Sequence, residues 1–167
     1  YAGVPGVELS TGSLGHGLSV ANGIALGARI RNVNFNVYCL LGDGEIQEGS
    51  IWEAAMTAGH HKLDNVCAIL DYNKVQQNGP VPEIKNEEPV LDKWKDFGWH
   101  AIEVDGHNFN ELIKALDEFD TVKGKPTFIK ANTVKGKGVS FMEGQCKWHG
   151  KAPKKEELEA ALKELGF

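Results

Sequence analysis

The segment GDGEIQEGSIWEAAMTAGHHKLDNVCAILDYN, residues Gly42–Asn73, decides the fold of this chain. It begins with an aspartate between two glycines and ends with an asparagine that follows an apolar run. The runs VYCLL and VCAIL, which precede these two residues, are typical of buried parallel strands, and the stretch between them has the apolar spacing of a helix. The segment therefore predicts one crossover between neighbouring parallel strands.

Asp43 and Asn73 stand at the ends of the two predicted strands, so we expect both side chains at the carboxyl edge of the sheet. Ligands bind at that edge in open α/β sheets. Carboxylate and amide oxygens suit Mg²⁺, which usually keeps part of its coordination shell for phosphate oxygens. The pair predicts a site for a metal ion and a diphosphate, although an isolated Asp-Gly more often caps a turn.

Helical and strand patterns also alternate on either side of this segment. A helix rich in Gly and Ala is expected from about Ser13 to Arg31. Ser50 and Glu53 stand at capping-box spacing and predict the start of the crossover helix, which we expect to end at Gly59. GSLGHG, within the first of these helices, follows no convincing strand and is a weak match to a dinucleotide-binding loop.

The second half of the chain continues the alternation. A short amphipathic stretch lies around Trp94, WHAIEVDG is a third strand, and PTFIKANTV is a fourth. A helix capped by Asn108 lies between these two strands, and a last helix follows Pro153 and closes at Gly166. The alternation predicts an α/β fold, a parallel twisted sheet with helices on both faces.

Length and composition restrict the classes of protein. The chain has 167 residues, 41% of them hydrophobic, so we expect one domain over residues 1–167 with a substantial core. The net charge is −5, and no dense basic cluster indicates nucleic acid as a partner. No apolar run approaches the ~20 residues of a membrane span, and no signal peptide is apparent. We expect a soluble, cytoplasmic protein with no membrane partner.

The cysteines and histidines have simple interpretations. Cys39 and Cys67 lie in apolar strand patterns and are expected to be buried thiols of a reducing compartment, whereas Cys146 lies in a polar loop. His60 and His61 are adjacent on a predicted helix, where side chains point ~100° apart, so a shared zinc ion is not expected.

Four segments of the chain, in this order, resemble the transketolase family. They are PGVELSTGSLGHGLSVANGIALG, GDGEIQEGSIWEAAMTAGHHKLDNV, LDYNKVQQNG, and TVKGKGVSFME followed by WHGKAP. A GDG followed at this distance by an Asn is also similar to the thiamine diphosphate motif. The segments look most like the N-terminal, diphosphate-binding half, as found in the small subunit of split-gene bacterial transketolases, shortened at its N-terminus. The resemblance implies a Rossmann-like, thiamine diphosphate-binding fold.

The resemblance also implies a set of metal ligands and a way of binding the diphosphate. Asp43 and Asn73 would supply side-chain oxygens to Mg²⁺ and Val75 its main-chain carbonyl, and Ca²⁺ or Mn²⁺ would substitute. Gly44 would turn its N–H toward the diphosphate, since it has no side chain to obstruct that approach.

Further site residues follow from the same resemblance. Glu48 would link the cofactor sites of two subunits, and His149 would contact the diphosphate and serve in binding or proton relay. These two are the expected catalytic residues. The expected cofactor contacts are Gly15, His16, Gly44, Glu45, Asn73, Gln77 and His149.

The implied activity is transfer of a two-carbon ketol unit from a ketose phosphate to an aldose phosphate. A pyrimidine-binding partner chain, the transketolase C-terminal subunit, would supply the activating glutamate, giving a heterodimer or tetramer that is inactive when this chain stands alone. Two alternatives stay open. One is a related thiamine diphosphate-dependent synthase, of the 1-deoxyxylulose-phosphate or dihydroxyacetone type, and the other is a non-catalytic remnant that binds cofactor or a partner.

Overall fold

A computed structural model describes residues 3–167, in which six strands form two sheets. The strands are β1 (Val37–Gly42), β2 (Val66–Tyr72), β3 (Val75–Gln76), β4 (Gly79–Pro80), β5 (His100–Asp105) and β6 (Thr127–Asn132). The main sheet is parallel, with the order β1-β2-β6-β5, and β3 and β4 form a small antiparallel hairpin. The predicted crossover between neighbouring strands is therefore confirmed, since β1 pairs directly with β2.

The helices alternate with the strands as the sequence predicts. They are α1 (Gly17–Ile30), α2 (Gly49–His60), α3 (Val81–Ile84), α4 (Val90–Asp96), α5 (Phe109–Thr121) and α6 (Lys155–Glu164). Short 3₁₀ turns lie at Gly44–Gln47 and Cys146–Trp148. Within residues 3–167, every helix is too short or too polar to cross a membrane.

One face of the main sheet, here called the first face, is covered by α1, α2 and α4. Its centre is aromatic. Trp94 of α4 stacks on Phe128 of β6 with ring centroids 4.1 Å apart, and Trp99 packs edge-on against Trp94. Aromatic burial of this kind supplies much of the apolar area that stabilises a domain of this size.

The opposite, second face is covered by α5. Ala115 and Phe119 of this helix pack against Ile129 and Ala131 of β6, together with Cys67 and Val104. Side chains alternate between the two faces along a strand, so Phe128 and Ile129 belong to different clusters. The prediction of helices on both faces is confirmed.

The cover of the second face stops short of β1. Leu40 is 73% exposed and Tyr38 is 53% exposed. Cys39 and Leu41, which alternate with them along β1, are buried on the first face. Tyr38 reaches the edge of α5 through an edge-on contact with Phe119.

Two of the predicted helix starts are wrong. The first helix begins at Gly17 rather than Ser13, because the preceding residues turn through Gly15 at φ +84°. Ser50 lies inside α2, whose N-cap is Glu48, and it makes no capping box with Glu53. The Ser50 hydroxyl instead donates to the carbonyl oxygen of Gly15, 3.0 Å away.

The start of α5 agrees with the sequence. Asn108 caps the helix by accepting a hydrogen bond from the backbone N–H of Asn110, and Glu111 accepts from the Asn108 amide. Satisfying the free N–H groups of a first turn in this way stabilises a helix.

Candidate functional site

Asp43 lies where β1 passes into the turn Gly44–Gln47. Its side chain is only 3% exposed. Oδ1 accepts from the backbone N–H of Gly44 at 2.8 Å, but Oδ2 is buried without a hydrogen-bond partner. Burying such an atom unpaired costs free energy, so Oδ2 favours a donor or a cation.

The charge of this carboxylate responds to its surroundings. Burial raises the pKa of Asp43, the backbone N–H groups of Gly44, Lys74 and Val75 lower it, and the nearby charge of Asp71 raises it. Burial has the largest effect, so the pKa of Asp43 lies above its usual value. A cation beside Oδ2 would favour the ionised form and lower the pKa of Asp43.

The loop after β2, which contains Asn73, lies next to Asp43. The amide oxygen Oδ1 of Asn73 accepts from the backbone N–H of Val75 at 3.0 Å. That N–H also lies close enough to Asp43 to lower the pKa of its carboxyl. The structure therefore brings together Asp43, Asn73 and Val75, the three residues predicted to bind a metal. Among residues 3–167 no cluster of three or more His, Cys, Asp or Glu side chains is placed to hold a metal.

The turn Gly44–Gln47 approaches the β3–β4 hairpin closely. A Cβ added at Gly44 would lie 3.1 Å from the Cβ of Gln76. The Gln76 Oε1 accepts from the Gln47 side chain at 2.6 Å. Gln77, predicted as a cofactor contact, is exposed at the hairpin turn. The glutamine that faces Gly44 is thus Gln76, one position earlier.

Glu45 ties the segment before α1 to the edge of β1. Its Oε1 accepts from the backbone N–H of Gly15 and its Oε2 from that of Gly42, each at 3.0 Å. Gly15 is buried, and a Cβ there would lie 2.5 Å from the Ser50 Oγ. Gly15 and Glu45 therefore sit beside the Asp43 turn, with their polar groups engaged with each other.

The remaining predicted residues lie at the surface. His16 is exposed at the start of α1, and its Nδ1 donates to the Leu14 carbonyl oxygen at 3.2 Å. Glu48 is exposed at the N-cap of α2 and makes no side-chain cap. His149 is exposed after the turn Cys146–Trp148. In the part of the chain that the structure describes, no hydrogen bond joins the His149 side chain to the Asp43 turn.

Two adjacent glutamates in the segment between α3 and α4 differ in environment. Glu87 is 4% exposed, neither of its carboxylate oxygens has a hydrogen-bond partner, and burial raises its pKa to about 7. Burial also acts to raise the pKa of Glu88. Hydrogen bonds from the Val90 backbone, Lys130 and Tyr72 outweigh that effect and lower it to about 2.

The sequence of the whole chain, residues 1–167, matches the family described as transketolase, thiamine diphosphate binding domain. The chain belongs to the transketolase family. It corresponds to the N-terminal part that binds thiamine diphosphate, as the four resembling segments predicted.

The relatives of this transketolase domain include components of split enzymes. It is 44% identical to an apulose-4-phosphate transketolase subunit of Phocaeicola vulgatus, over 97% of this chain and 58% of that protein. It is 46% identical to the 6-deoxy-6-sulfo-D-fructose transketolase subunit SqwG of Clostridium sp. strain MSTE9, over 96% of this chain and 58% of that protein. The chain thus spans somewhat more than half the length of these relatives.

Solved transketolases have the same fold. The crystal structure of transketolase from Campylobacter jejuni superposes with a TM-score of 0.90 and 36% identity, over 97% of this chain and 26% of that one. Transketolase from Leishmania mexicana gives a TM-score of 0.86 and 34% identity, over 98% of this chain and 26% of that one. The predicted fold class is confirmed.

The Asp43 turn of the transketolase domain fits a cation and a diphosphate. The unpartnered Oδ2 of Asp43 supplies a negative donor, Asn73 supplies an amide oxygen in the adjoining loop, and Gly44 adds no side chain to the turn. Hard oxygen donors of this kind match Mg²⁺.

Sequence reasoning missed four residues around this site: Asp71, Gln76, Glu87 and Thr133. Asp71 had a usable signal, because it is a carboxylate near the carboxyl end of the same predicted strand, two positions before Asn73. Thr133 lies far from Asn73 in the sequence, and only the pairing of β2 with β6 brings it close.

Proposed function

We propose that this chain is the diphosphate- and Mg²⁺-binding half of a thiamine diphosphate-dependent transketolase. With a pyrimidine-binding partner chain, it would transfer a two-carbon ketol unit from a ketose phosphate to an aldose phosphate. The observation that carries the proposal is the buried, unpartnered Oδ2 of Asp43, next to Asn73, Val75 and a glycine without a side chain.

The metal set consists of the Asp43 carboxylate, the Asn73 amide oxygen and the Val75 carbonyl. Mg²⁺ takes about six oxygen ligands, so three protein oxygens leave positions for diphosphate oxygens and water. Ca²⁺ or Mn²⁺ would occupy the same donors. Because a cation favours the ionised form of Asp43, metal binding offsets the cost of burying this carboxyl.

The cofactor contacts surround the metal set. Gly44 would approach the diphosphate, and Gly15, His16, Glu45 and Gln77 would complete its surroundings. When bound, thiamine diphosphate supplies the carbanion chemistry that carries the two-carbon unit. The protein's own task is to hold the diphosphate, fix its orientation and set the charge around it.

Glu48 and His149 would act where the assembled enzyme closes over the cofactor. Both side chains are exposed and free of competing hydrogen bonds among the described residues, which suits contact with a second chain or a substrate. Glu48 would link sites across the interface between chains, and His149 would bind the diphosphate or relay a proton. The similar proteins that are named as transketolase subunits, rather than as whole enzymes, support a two-chain assembly, which would work in the cytoplasm.

Calorimetric titration of thiamine diphosphate into the chain tests the proposal. Binding is expected with Mg²⁺ present, to be abolished by EDTA, and to be lost in Asp43→Asn, which removes the charge that pairs with the metal. Asp117→Asn is the matched control, because Asp117 is an exposed carboxylate on α5, and binding should be unchanged. Absence of metal-dependent binding by a chain that circular dichroism shows to be folded would overturn the proposal.

Transfer activity requires the second chain. This chain, mixed with a pyrimidine-binding partner, should convert a ketose phosphate and an aldose phosphate in the presence of thiamine diphosphate. Cofactor binding without turnover in any such mixture would favour the non-catalytic alternative.

A further inference from the structure

The amide of Asn73 has two ends of nearly equal size and opposite polarity. Its oxygen accepts hydrogen bonds and binds cations, whereas its NH₂ group only donates. A reversal of the amide would turn the NH₂ group toward a bound cation. A metal site that includes Asn73 therefore needs a group that fixes the amide orientation.

Asp71 is placed to do this. The Asn73 Nδ2 donates to the Asp71 Oδ2 at 3.3 Å. An ionised carboxylate has no donor, so it accepts only from the NH₂ end and leaves the amide oxygen on the other side. That oxygen, Oδ1, accepts from the Val75 N–H, which is also close to Asp43.

Thr133 in turn holds Asp71. The Thr133 hydroxyl donates to the other carboxylate oxygen, Oδ1, of Asp71. The backbone N–H of Thr133 donates to the Tyr72 carbonyl oxygen at 3.2 Å, which fixes Thr133 next to the end of β2. Each oxygen of Asp71 therefore has one partner, and the carboxylate is set between the ends of β2 and β6.

The position of Asp71 also suits a residue that orients a metal ligand without binding the metal itself. Asp71, Asn73 and Thr133 line a cleft of about 520 Å³ at the carboxyl edge of the sheet. Groups that hydrogen-bond to the ligands of a metal, and so orient them, commonly contribute strongly to the affinity of the site for that metal. Asp71 adds negative charge near Asp43 as well.

We propose that Asp71 is a positioning residue of the cation site, which together with Thr133 fixes the Asn73 amide so that its oxygen faces Asp43 and Val75. The inference rests on the proposed function, since it assigns a role within the same metal and cofactor site.

Mn²⁺ tests the inference without any need for turnover. Electron paramagnetic resonance reports free Mn²⁺, so its affinity in the presence of thiamine diphosphate is measured directly on the 167-residue chain. Asp71→Leu removes the acceptor at similar size and should weaken Mn²⁺ binding by ~10- to 100-fold. Asp71→Asn should retain most of the affinity, because its amide oxygen still accepts from Asn73 while its NH₂ group donates to the Thr133 hydroxyl.

A double-mutant cycle separates positioning from a general effect. If Asp71 acts through Asn73, then Asp71→Leu in an Asn73→Ala background should cause little further loss. An equal loss in both backgrounds would overturn the inference and show that Asp71 acts by its own charge or ligation. Equal affinity of Asp71→Leu and the parent would also overturn it.

Two controls make the outcomes distinct. A parent chain that binds no Mn²⁺ with thiamine diphosphate contradicts the proposed function and the inference together. A parent that binds, with Asp71→Leu binding equally well, contradicts the inference alone. If Asp71→Leu fails to fold by circular dichroism, Thr133→Val takes its place, with a smaller loss expected and an unchanged affinity counting against the inference.

Discussion

The two faces of the main sheet are unequal in cover. On the first face, α1, α2 and α4 enclose a continuous cluster in which Trp94 is completely buried. On the second face, α5 covers β5 and β6 but leaves Leu40 of β1 largely exposed. Strands of parallel sheets are normally buried on both sides, so β1 has the sequence of a covered strand but only one covered side.

The candidate site lies between the closely packed first face and the partly uncovered second face. Ile46, in the turn that follows Asp43, belongs to the closed cluster of the first face. Asp71 and Thr133 line the cleft on the side of the exposed β1 residue Leu40. The proposed metal ligands are thus anchored on one side by a packed core and on the other by a few polar contacts. The contrast suggests that stability and cofactor affinity respond to different residues.

The largest effect on stability is expected for Trp94→Ala. This change removes the aromatic stack on Phe128 and leaves a cavity among closed packing, so unfolding should become easier by about 3–5 kcal/mol. Urea denaturation followed by circular dichroism measures the difference. A loss below about 1 kcal/mol would contradict the view that the first face carries most of the stability.

A smaller loss is expected for Phe119→Ala on the second face. Phe119 is as buried as the first-face core, but its cluster has fewer members and borders the uncovered strand, so neighbours can close part of the cavity. We expect about 3 kcal/mol, at the lower end for such substitutions. The same urea series applies, and a greater loss than for Trp94→Ala would reverse the order of the two faces.

Glu87 lies at the edge of the first face, and it should make the free energy of unfolding depend on pH. Burial keeps it protonated in the folded state up to about pH 7, whereas an ordinary glutamate loses its proton near 4.5. The folded state thus binds more protons between these values, and unfolding should become easier as pH rises from 4.5 to 7, by about 1–3 kcal/mol at ~1.4 kcal/mol per pKa unit.

Glu87→Gln should remove that part of the pH dependence, since the amide carries no charge at either pH. Thermal denaturation at several pH values gives the comparison. Glu83→Gln, an exposed glutamate of α3, is the control and should follow the parent curve. An unchanged slope in Glu87→Gln would show that this carboxyl finds partners in solution.

The smallest effect on stability is expected for Leu40→Ser. The side chain is already mostly exposed, so the free energy of unfolding should change by less than about 0.5 kcal/mol. Self-association, measured by sedimentation velocity, should nevertheless decrease, because the uncovered apolar side of β1 favours contact between molecules. Ile30→Ser, which removes another exposed apolar side chain at the end of α1, should leave association unchanged.

The sequence predicted the sheet and the meeting of Asp43 with Asn73 because both depend on local patterns. Continuous apolar runs indicate parallel strands, and residues directly after neighbouring strands share an edge of the sheet. Asn108 was predictable for the same reason, since a helix cap depends on adjacent residues.

Contacts between distant segments were not predictable in this way. Ser50 has the sequence signature of a cap, but the approach of the Gly15 carbonyl gives its hydroxyl another partner. The contact of Gln76 with Gly44 depends on which side of a short hairpin faces that turn, and a shift of one residue along the strand would reverse it. Glu87 is polar in a polar loop, and nothing in that pattern indicates that its side chain is buried.

The unequal environments of the three cysteines allow one of them to be labelled selectively. Burial raises the pKa of the Cys39 and Cys67 thiols to about 12 each, so neither forms the thiolate that reacts with maleimides at neutral pH. Cys146 is half-buried in a short turn three residues before His149. A single fluorophore attached there, with no engineered cysteine, would report any rearrangement around His149 when cofactor, substrate or a second chain arrives.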